Sequence, residues 1–366
     1  MSSEPRLGIS ILEIDTPALL LDLDAFERNL SIMARFFADR PTSLRPHAKT
    51  HKCPQVALRQ LEAGAIGITC AKVGEAEVMA EAGVQDILIA NEVVGGLKID
   101  RLTDLAGRCE MMVAVDDIAN VQELSLACQA KQVTLRVLVE VDIGMHRCGV
   151  QPGADALHLA QQVADAPRLQ LAGLMGYEGH LVQIADPQER FTRVREALVP
   201  LQETRELLET NGLPVQIVSG GGTGTYDVSG AHPPMTEIEA GSYVYMDSTY
   251  LKIRPEFEPS LTVLTSVISR PVPERIVTDA GRKAIAFDFG YPQPFDTPGV
   301  QTRSLSEEHG VLETADPDAV PLRPGDKIRV LPSHCCTTVN LHDTLYVVQN
   351  DTLVDLWSIA ARGRGQ

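Results

Sequence analysis

From Leu19 onward the chain alternates short, β-rich apolar runs with stretches whose apolar residues recur at helical spacing. The extended runs fall at 43–49, 66–72, 86–92, 111–117, 134–142, 171–179, 215–222 and 237–246, eight in all. Between them lie helical patterns such as PQVALRQLEAG, GEAEVMAEAG, VQELSLACQAK and ERFTRVREALVPLQETRELLETNG, the last closed by a glycine at the C-cap position. A doubly wound sheet shows the same alternation, but eight consecutive units over about 230 residues favour a closed (β/α)8 barrel. Past Pro255 the texture changes to SLTVLTSVISR, RIVTDAG, KAIAFDFG, DKIRVLPSH, TLYVVQ and LVDLWSIAARG, strand-like runs punctuated by Pro and Gly. The expected fold class is therefore α/β, with a barrel over 15–254 and an all-β domain over 255–366. A strand within 1–14, carried by ISILEI, is expected to join the β-domain.

Composition narrows the function classes. A chain of 366 residues suits a barrel plus a second domain, and 44% apolar with 22% charged residues is ordinary for a globular protein. A formal net charge of -17 argues against nucleic-acid phosphate or an anionic membrane as a partner. No apolar run approaches the ~18 residues a membrane span needs, and MSSEPRLGIS lacks a signal-peptide core, so the cytoplasm is the expected compartment. Seven cysteines, at 53, 70, 109, 128, 148, 335 and 336, do not form the framework of a disulfide-stapled domain.

In a barrel of this kind the active site lies at the C-terminal ends of the strands. The polar residues there are His47, Lys49, Lys72, Asn91, Asp116, Asp142, Arg147, Tyr177, His180 and the Ser219–Thr223 turn. Lys49, in RPHAKTHK, is a barrel-mouth lysine beside a second cation, a setting that lowers an amine pKa as Schiff-base chemistry requires. It is also compatible with a surface lysine in a basic turn. The glycine-rich SGGGTGTY (219–226) turns backbone N–H groups toward an anion in the quarter where such barrels often bind phosphate. Gly241-Ser242-Tyr243 offers a second set of donors, and the two segments together read as a phosphate cup; a flexible turn without ligand is the bland alternative. His334-Cys335-Cys336 follows IRVLP. On a continuing strand His334 and Cys336 point the same way, and imidazole plus thiolate favours zinc over magnesium or calcium. From the tripeptide alone a buried cysteine pair beside an unrelated histidine is the better reading, since a two-ligand motif is weak.

RPHAKTHK, GITCAKVGEAEVMAEAG, DILIANEVVG, VEVDIGMHRCGV, GYEGH, SGGGTGTY and EAGSYVYMD, in this order, resemble the barrel domain shared by alanine racemases, D-threonine aldolases and eukaryotic-type D-serine dehydratases. The resemblance covers nearly the whole chain. The segments EEHG and HCCTTVNLHD draw it toward the D-threonine aldolases, a group that includes the 3-hydroxy-D-aspartate aldolases.

The resemblance implies pyridoxal 5'-phosphate bound on Lys49 as the Schiff-base lysine, with its phosphate held by Ser219, Gly221, Gly222, Thr223, Gly241 and Ser242. It puts Arg147 near the pyridine ring and Tyr177 near the cofactor. It makes His334 and Cys336 a divalent-metal site, for zinc, manganese or magnesium. Many of these aldolases carry Asp where Cys336 stands, and a thiolate is more typical of the dehydratases. His180 is the acid/base candidate, in competition with His51; His309 and His342 are further pocket-lining candidates.

The implied activity is metal-assisted retro-aldol cleavage of a D-β-hydroxy-α-amino acid to glycine and an aldehyde. The runner-up is dehydration to a 2-oxo acid and ammonia, as D-serine or D-threo-3-hydroxyaspartate dehydratases perform. A racemase needs no metal pair, and a non-catalytic cofactor-binding protein lacks the β-domain. The implied partners are the small substrate and a second copy of the chain in a homodimer.

Overall fold

The computed structural model describes residues 6–366, so residues 1–5 of the expected N-terminal strand lie outside the described residues. The chain forms two compact units. One comprises Met33–Lys49, Pro54–Gly241 and Gly363–Gln366; the other comprises residues up to Ile32, Thr50–Cys53 and Ser242–Arg362.

In the first of these units all eight extended runs enter one parallel sheet. The strands are Ser43–Leu44, Ile68–Cys70, Asp86–Glu92, Glu110–Val115, Leu135–Glu140, Leu169–Gly176, Ile217–Gly220 and Glu237–Ile238. Ser43 and Leu44 pair with Glu237 and Ile238, so the first strand lies beside the last. A parallel bridge between His47 and Thr69 joins the remaining edges and closes the ring. Continuous apolar runs such as Ile87-Leu88-Ile89 are fully buried because a barrel strand is covered on both faces. Leu88, Met112, Ala114, Leu138, Ala172 and Met175 pack together as one core cluster contributed by four strands. The helices come between strands as the apolar spacing predicts. In the longest, Pro187–Thr210, Asp186 caps the start by accepting from Glu189 N and Pro187 takes the first turn. Its C-cap is Asn211, and Gly212, with φ +80°, follows one position later than the sequence reading has it.

The other unit holds a nine-stranded mixed sheet. Ala18–Asp22 belongs here. It pairs antiparallel with Leu261–Val272 and parallel with Thr344–Gln349. Its buried ALLLD sequence has the same continuous apolar texture as a barrel strand, so pattern alone does not separate the two. ISILEI is not a strand. Ser10 and Glu13 form a reciprocal capping box, and this local pairing winds Ile11–Glu13 into a 3-10 turn. Of the expected strand pairing there remain a bridge from Ser10 to Thr352 and the backbone bonds around it, Gly8 N to Leu353 O, Leu353 N to Ile9 O and Ile11 N to Asp351 O. KAIAFDFG is likewise a succession of turns, whereas Val300–Leu305 and Gly310–Thr314, absent from the sequence reading, form a hairpin around EEHG. Among the described residues no helix is long and apolar enough to cross a membrane.

Candidate active site

Lys49 follows the His47–Thr69 bridge at the end of its barrel run, and its side chain is exposed although His47 and Ala48 before it are buried. Its Nζ lies 5.7 Å from the centre of the Tyr177 ring, and Arg147 Cζ lies 5.5 Å from the same ring. Both are within cation–π reach. Tyr177 follows the strand Leu169–Gly176 directly. A Cβ placed on Gly222 would stand 3.5 Å from the Tyr177 hydroxyl and 3.4 Å from Val182 Cγ1. One aromatic ring thus gathers Lys49, Arg147 and the glycine-rich turn.

The glycines of that turn serve different ends. Gly220 and Gly224 are forced by backbone packing, since a Cβ there would sit 2.0 Å from Gly176 O and 1.9 Å from Val182 O. Gly221 takes φ +72°, where a side chain is strained. At Gly222 a Cβ would meet only ordinary contacts, with Val182 and with the Tyr177 ring and hydroxyl. Ser219 Oγ is engaged elsewhere, donating to Glu239 Oε1 at 2.8 Å. Behind the turn, buried Glu178 accepts from Thr225 Oγ1 at 2.7 Å and Ser229 Oγ at 2.5 Å, while its Oε2 is buried without a partner. An amine facing an aromatic ring, with a side-chain-free turn beside it, fits pyridoxal phosphate.

Acidic groups underlie the same region. Glu140 Oε1 is 3.5 Å from Arg147 Nη2, and ligand atoms of Glu92, Glu140 and Cys148 lie within 4.8 Å of one another. Burial, then the neighbouring Glu92, push the Glu140 carboxyl up to about 9 against the pull of Arg147. Burial and the same two carboxyls push the Cys148 thiol up to about 11. Glu239 is pushed up to about 7 by burial despite the bond from Ser219. Glu140 and Glu239 interrupt apolar runs, VLVEVD and EIEAG, each flanked by apolar neighbours, and that was the legible signal for them.

The His334 segment departs from the strand expected for it. The strand Lys327–Leu331 ends ahead of Pro332, which has no N–H to give a ladder; His334 then caps a short helix, Cys335–Val339. His334 and Cys336 still come close enough for each to shift the other's pKa. The imidazole Nδ1 is 2.5 Å from Asp288 Oδ2, and the Phe289 ring stacks on it with centroids 4.1 Å apart and planes at 6°. Cys336 Sγ is hydrogen-bonded to Thr50 Oγ1 at 3.3 Å and lies 3.7 Å from Ser242 Oγ, so the serine assigned to phosphate stands beside the thiol. The neighbouring Cys335, His334 and Thr50 hold the Cys336 thiol well below its ordinary range. Cys335 is driven up by Cys336 and burial. Burial alone would lower His334, but Cys336 and Asp288 outweigh it and raise the ring to about 9. Nearby, the Tyr245 hydroxyl is fully buried without a partner, within electrostatic reach of Cys53, Cys335 and Cys336. A soft thiolate, an imidazole and an unpaired phenol suit a divalent transition metal. Asp288, Thr50, Tyr245 and Asp247, whose Oδ2 accepts from Cys335 N at 3.0 Å, are site residues the sequence reading did not single out.

The alanine racemase N-terminal domain model matches residues 21–249, and a serine dehydratase domain model matches residues 260–348. A D-threonine aldolase of Arthrobacter is 41% identical over 97% of this chain and 95% of its own length. A 3-hydroxy-D-aspartate aldolase of Paracoccus denitrificans is 37% identical over 98% and 95%. The chain belongs to the D-threonine aldolase and 3-hydroxy-D-aspartate aldolase family. The crystal structure of the D-threonine aldolase of Filomicrobium marinum superposes on this family member with a TM-score of 0.96, at 43% identity over 99% of both chains. A D-threo-3-hydroxyaspartate dehydratase of Delftia stands further off, 30% identical over 95% and 98%.

The remaining polar residues of this aldolase-family chain have local duties. His180 lies on the 3-10 turn Gly179–Leu181, exposed, with its ring 3.4 Å from where a Gly144 Cβ would stand. Burial and Arg193 hold its pKa down. His51 is buried and its Nδ1 accepts from Cys53 N. His309 is exposed in the EEHG turn, and His342 Nε2 bonds Ala284 O at 2.8 Å. Lys72 begins a helix, Asn91 Nδ2 donates to Ala71 O, and Asp116 and Asp142 accept from backbone N–H groups of the 144–149 loop.

Proposed function

We propose that this chain is a pyridoxal-phosphate- and divalent-metal-dependent lyase that cleaves D-β-hydroxy-α-amino acids, of the D-threonine or 3-hydroxy-D-aspartate type, to glycine and an aldehyde. One observation carries the reading: Lys49, the exposed amine beside Tyr177, is joined by a single peptide bond to Thr50, whose hydroxyl is hydrogen-bonded to Cys336. An amine suited to a carbonyl coenzyme and a ligand of the proposed metal are thus linked through adjacent residues. Full-length likeness to chains named as aldolases supports it.

Lys49 anchors the coenzyme, the 219–223 turn with Gly241 and Ser242 holds its phosphate, and Tyr177 and Arg147 flank its ring. His334 and Cys336 hold the metal, zinc or manganese. When bound, the coenzyme supplies an electron sink for breaking the Cα–Cβ bond and the metal a Lewis acid for the β-hydroxyl. His180, its pKa held down by burial and Arg193, receives the hydroxyl proton. The same reading makes the protein a cytoplasmic homodimer with neither nucleic acid nor membrane as partner.

Dehydration is the second reading, favoured by a thiol at position 336 and by the serine dehydratase domain match over 260–348. Purified protein is incubated with pyridoxal phosphate, Mn2+ or Zn2+, and D-threonine or 3-hydroxy-D-aspartate. Glycine with acetaldehyde or glyoxylate is the expected result; oxo acid with ammonia would install the second reading. Preference for L-threonine would remove both.

A further inference from the structure

A metal-binding imidazole needs its ring plane and tautomer fixed from the nitrogen that does not meet the ion. In this chain the segment 284–290 is built for that. Alternate residues form a ladder with 333–342: Ala284 O with His342 Nε2 at 2.8 Å, Ala286 N donating to Thr338 Oγ1 at 3.3 Å, and Gly290 O accepting from Ser333 Oγ at 2.6 Å. The rung between them is Asp288, which takes His334 Nδ1 on one oxygen at 2.5 Å and Thr337 Oγ1 on the other at 2.9 Å. The next residue, Phe289, lies flat on the same imidazole. The ring is therefore gripped on one edge and one face.

We propose that Asp288 is the positioning residue of the metal site. With the Nδ1 proton given to Asp288, the imidazole has one lone pair left, on Nε2, and the stacked Phe289 fixes the plane in which that lone pair points. The carboxylate charge also makes Nε2 a stronger donor. The geometry separates this from an ordinary surface ion pair: both carboxylate oxygens are used, and the ring is only 18% exposed. Thr337 completes the device by tying the carboxylate to the helix that carries Cys336. The inference rests on the reading of His334 and Cys336 as metal ligands.

The test uses full-length protein carrying its coenzyme, with Mn2+ as the probe and its dissociation constant measured by calorimetry or chelator competition. Asp288→Ala and Asp288→Asn are each expected to weaken Mn2+ binding by about 10- to 100-fold. The coenzyme absorbance and the melting temperature of the metal-free protein should hold, and excess Mn2+ should restore turnover. His334→Ala should bind no Mn2+ at the site. Wild-type Mn2+ affinity in Asp288→Ala, with binding lost in His334→Ala, would overturn the positioning role alone. Wild-type affinity in His334→Ala would overturn the metal site and this inference with it. Should Asp288→Ala fail to fold, the near-isosteric Asn variant decides by the same criterion.

Discussion

Glu140 Oε1 lies 3.5 Å from Arg147 Nη2, yet the carboxyl is held protonated at neutral pH rather than ionised by its cationic neighbour. Glu140 is buried, whereas the Arg147 side chain is 44% exposed and shares its field with water. Glu92, with a carboxylate oxygen within 4.8 Å, adds a like charge. Desolvation and like charge outweigh one half-solvated cation. Arg147, the residue proposed to flank the coenzyme ring, therefore faces a largely neutral carboxyl.

This pair predicts a pH dependence of stability. Glu140 has a pKa of about 9 in the folded protein against 4.5 for an unperturbed glutamate, so between these values the native state holds a proton that the unfolded chain has released. Stability falls with rising pH wherever the native state binds more protons, so the cost grows from pH 5 toward pH 9. Glu140→Gln cannot ionise. Its stability minus that of the wild type should rise over this window by at least about 1 kcal/mol. Urea melts at several pH values read the difference directly, and parallel curves would show that Glu140 does not hold a proton in the folded protein.

Gly222 tests the proposed phosphate cradle independently of the chemistry. Its substitution to alanine meets neighbours only at 3.4–3.5 Å, so the fold should change by less than about 1 kcal/mol. The methyl group would nonetheless fill space beside the Tyr177 hydroxyl. Coenzyme affinity of the Gly222→Ala apoprotein should drop by roughly tenfold or more, equivalent to about 1.4 kcal/mol. Gly224→Ala, with its Cβ 1.9 Å from Val182 O, should instead compromise folding. Unaltered coenzyme binding in a stable Gly222→Ala protein would mean that the phosphate lies elsewhere.

The eight barrel strands were legible because each is a short run of buried residues between helical patterns, and periodicity reports burial. Ala18–Asp22 eluded that logic, since a strand inside a mixed sheet is as apolar as one inside a barrel. ISILEI misled because a Ser–Glu capping box at Ser10 and Glu13 overrode strand propensity. For the candidate site, chemistry that lives in one short segment could be read: Lys49, the 219–226 turn, His334 and Cys336. Asp288 could not, because it lies 46 residues before His334 and its partner is fixed only by tertiary folding. The expected strand alternation was the wrong reason for pairing His334 with Cys336. A helix cap followed by the first helical turn brings them together instead.

The opposite ends of the barrel strands carry a different kind of charge cluster, and a prediction that separates stability from activity. Arg45 is fully buried; its Nε bonds Glu237 Oε1 at 3.0 Å and its Nη1 bonds Asp86 Oδ1 at 2.8 Å, with Arg136 Nη2 on the same Asp86 oxygen. Asp86 and Glu237 are each the first residue of their strands, so the cluster ties strand starts, the face of such barrels that serves stability. Arg45→Met would leave the Glu237 carboxyl buried without its cation, at a cost of about 3–5 kcal/mol. Gly67→Ala should act in the same direction, because its Cβ would stand 2.1 Å from Arg45 Nη1 and displace the guanidinium. Turnover and coenzyme affinity per folded molecule should stay at wild-type values in both. Adding Glu237→Gln to Arg45→Met should recover much of the loss, since the penalty comes from the stranded charge rather than from a missing attraction. A double variant no more stable than Arg45→Met would show that packing of the arginine stem, not charge, holds these strand starts together.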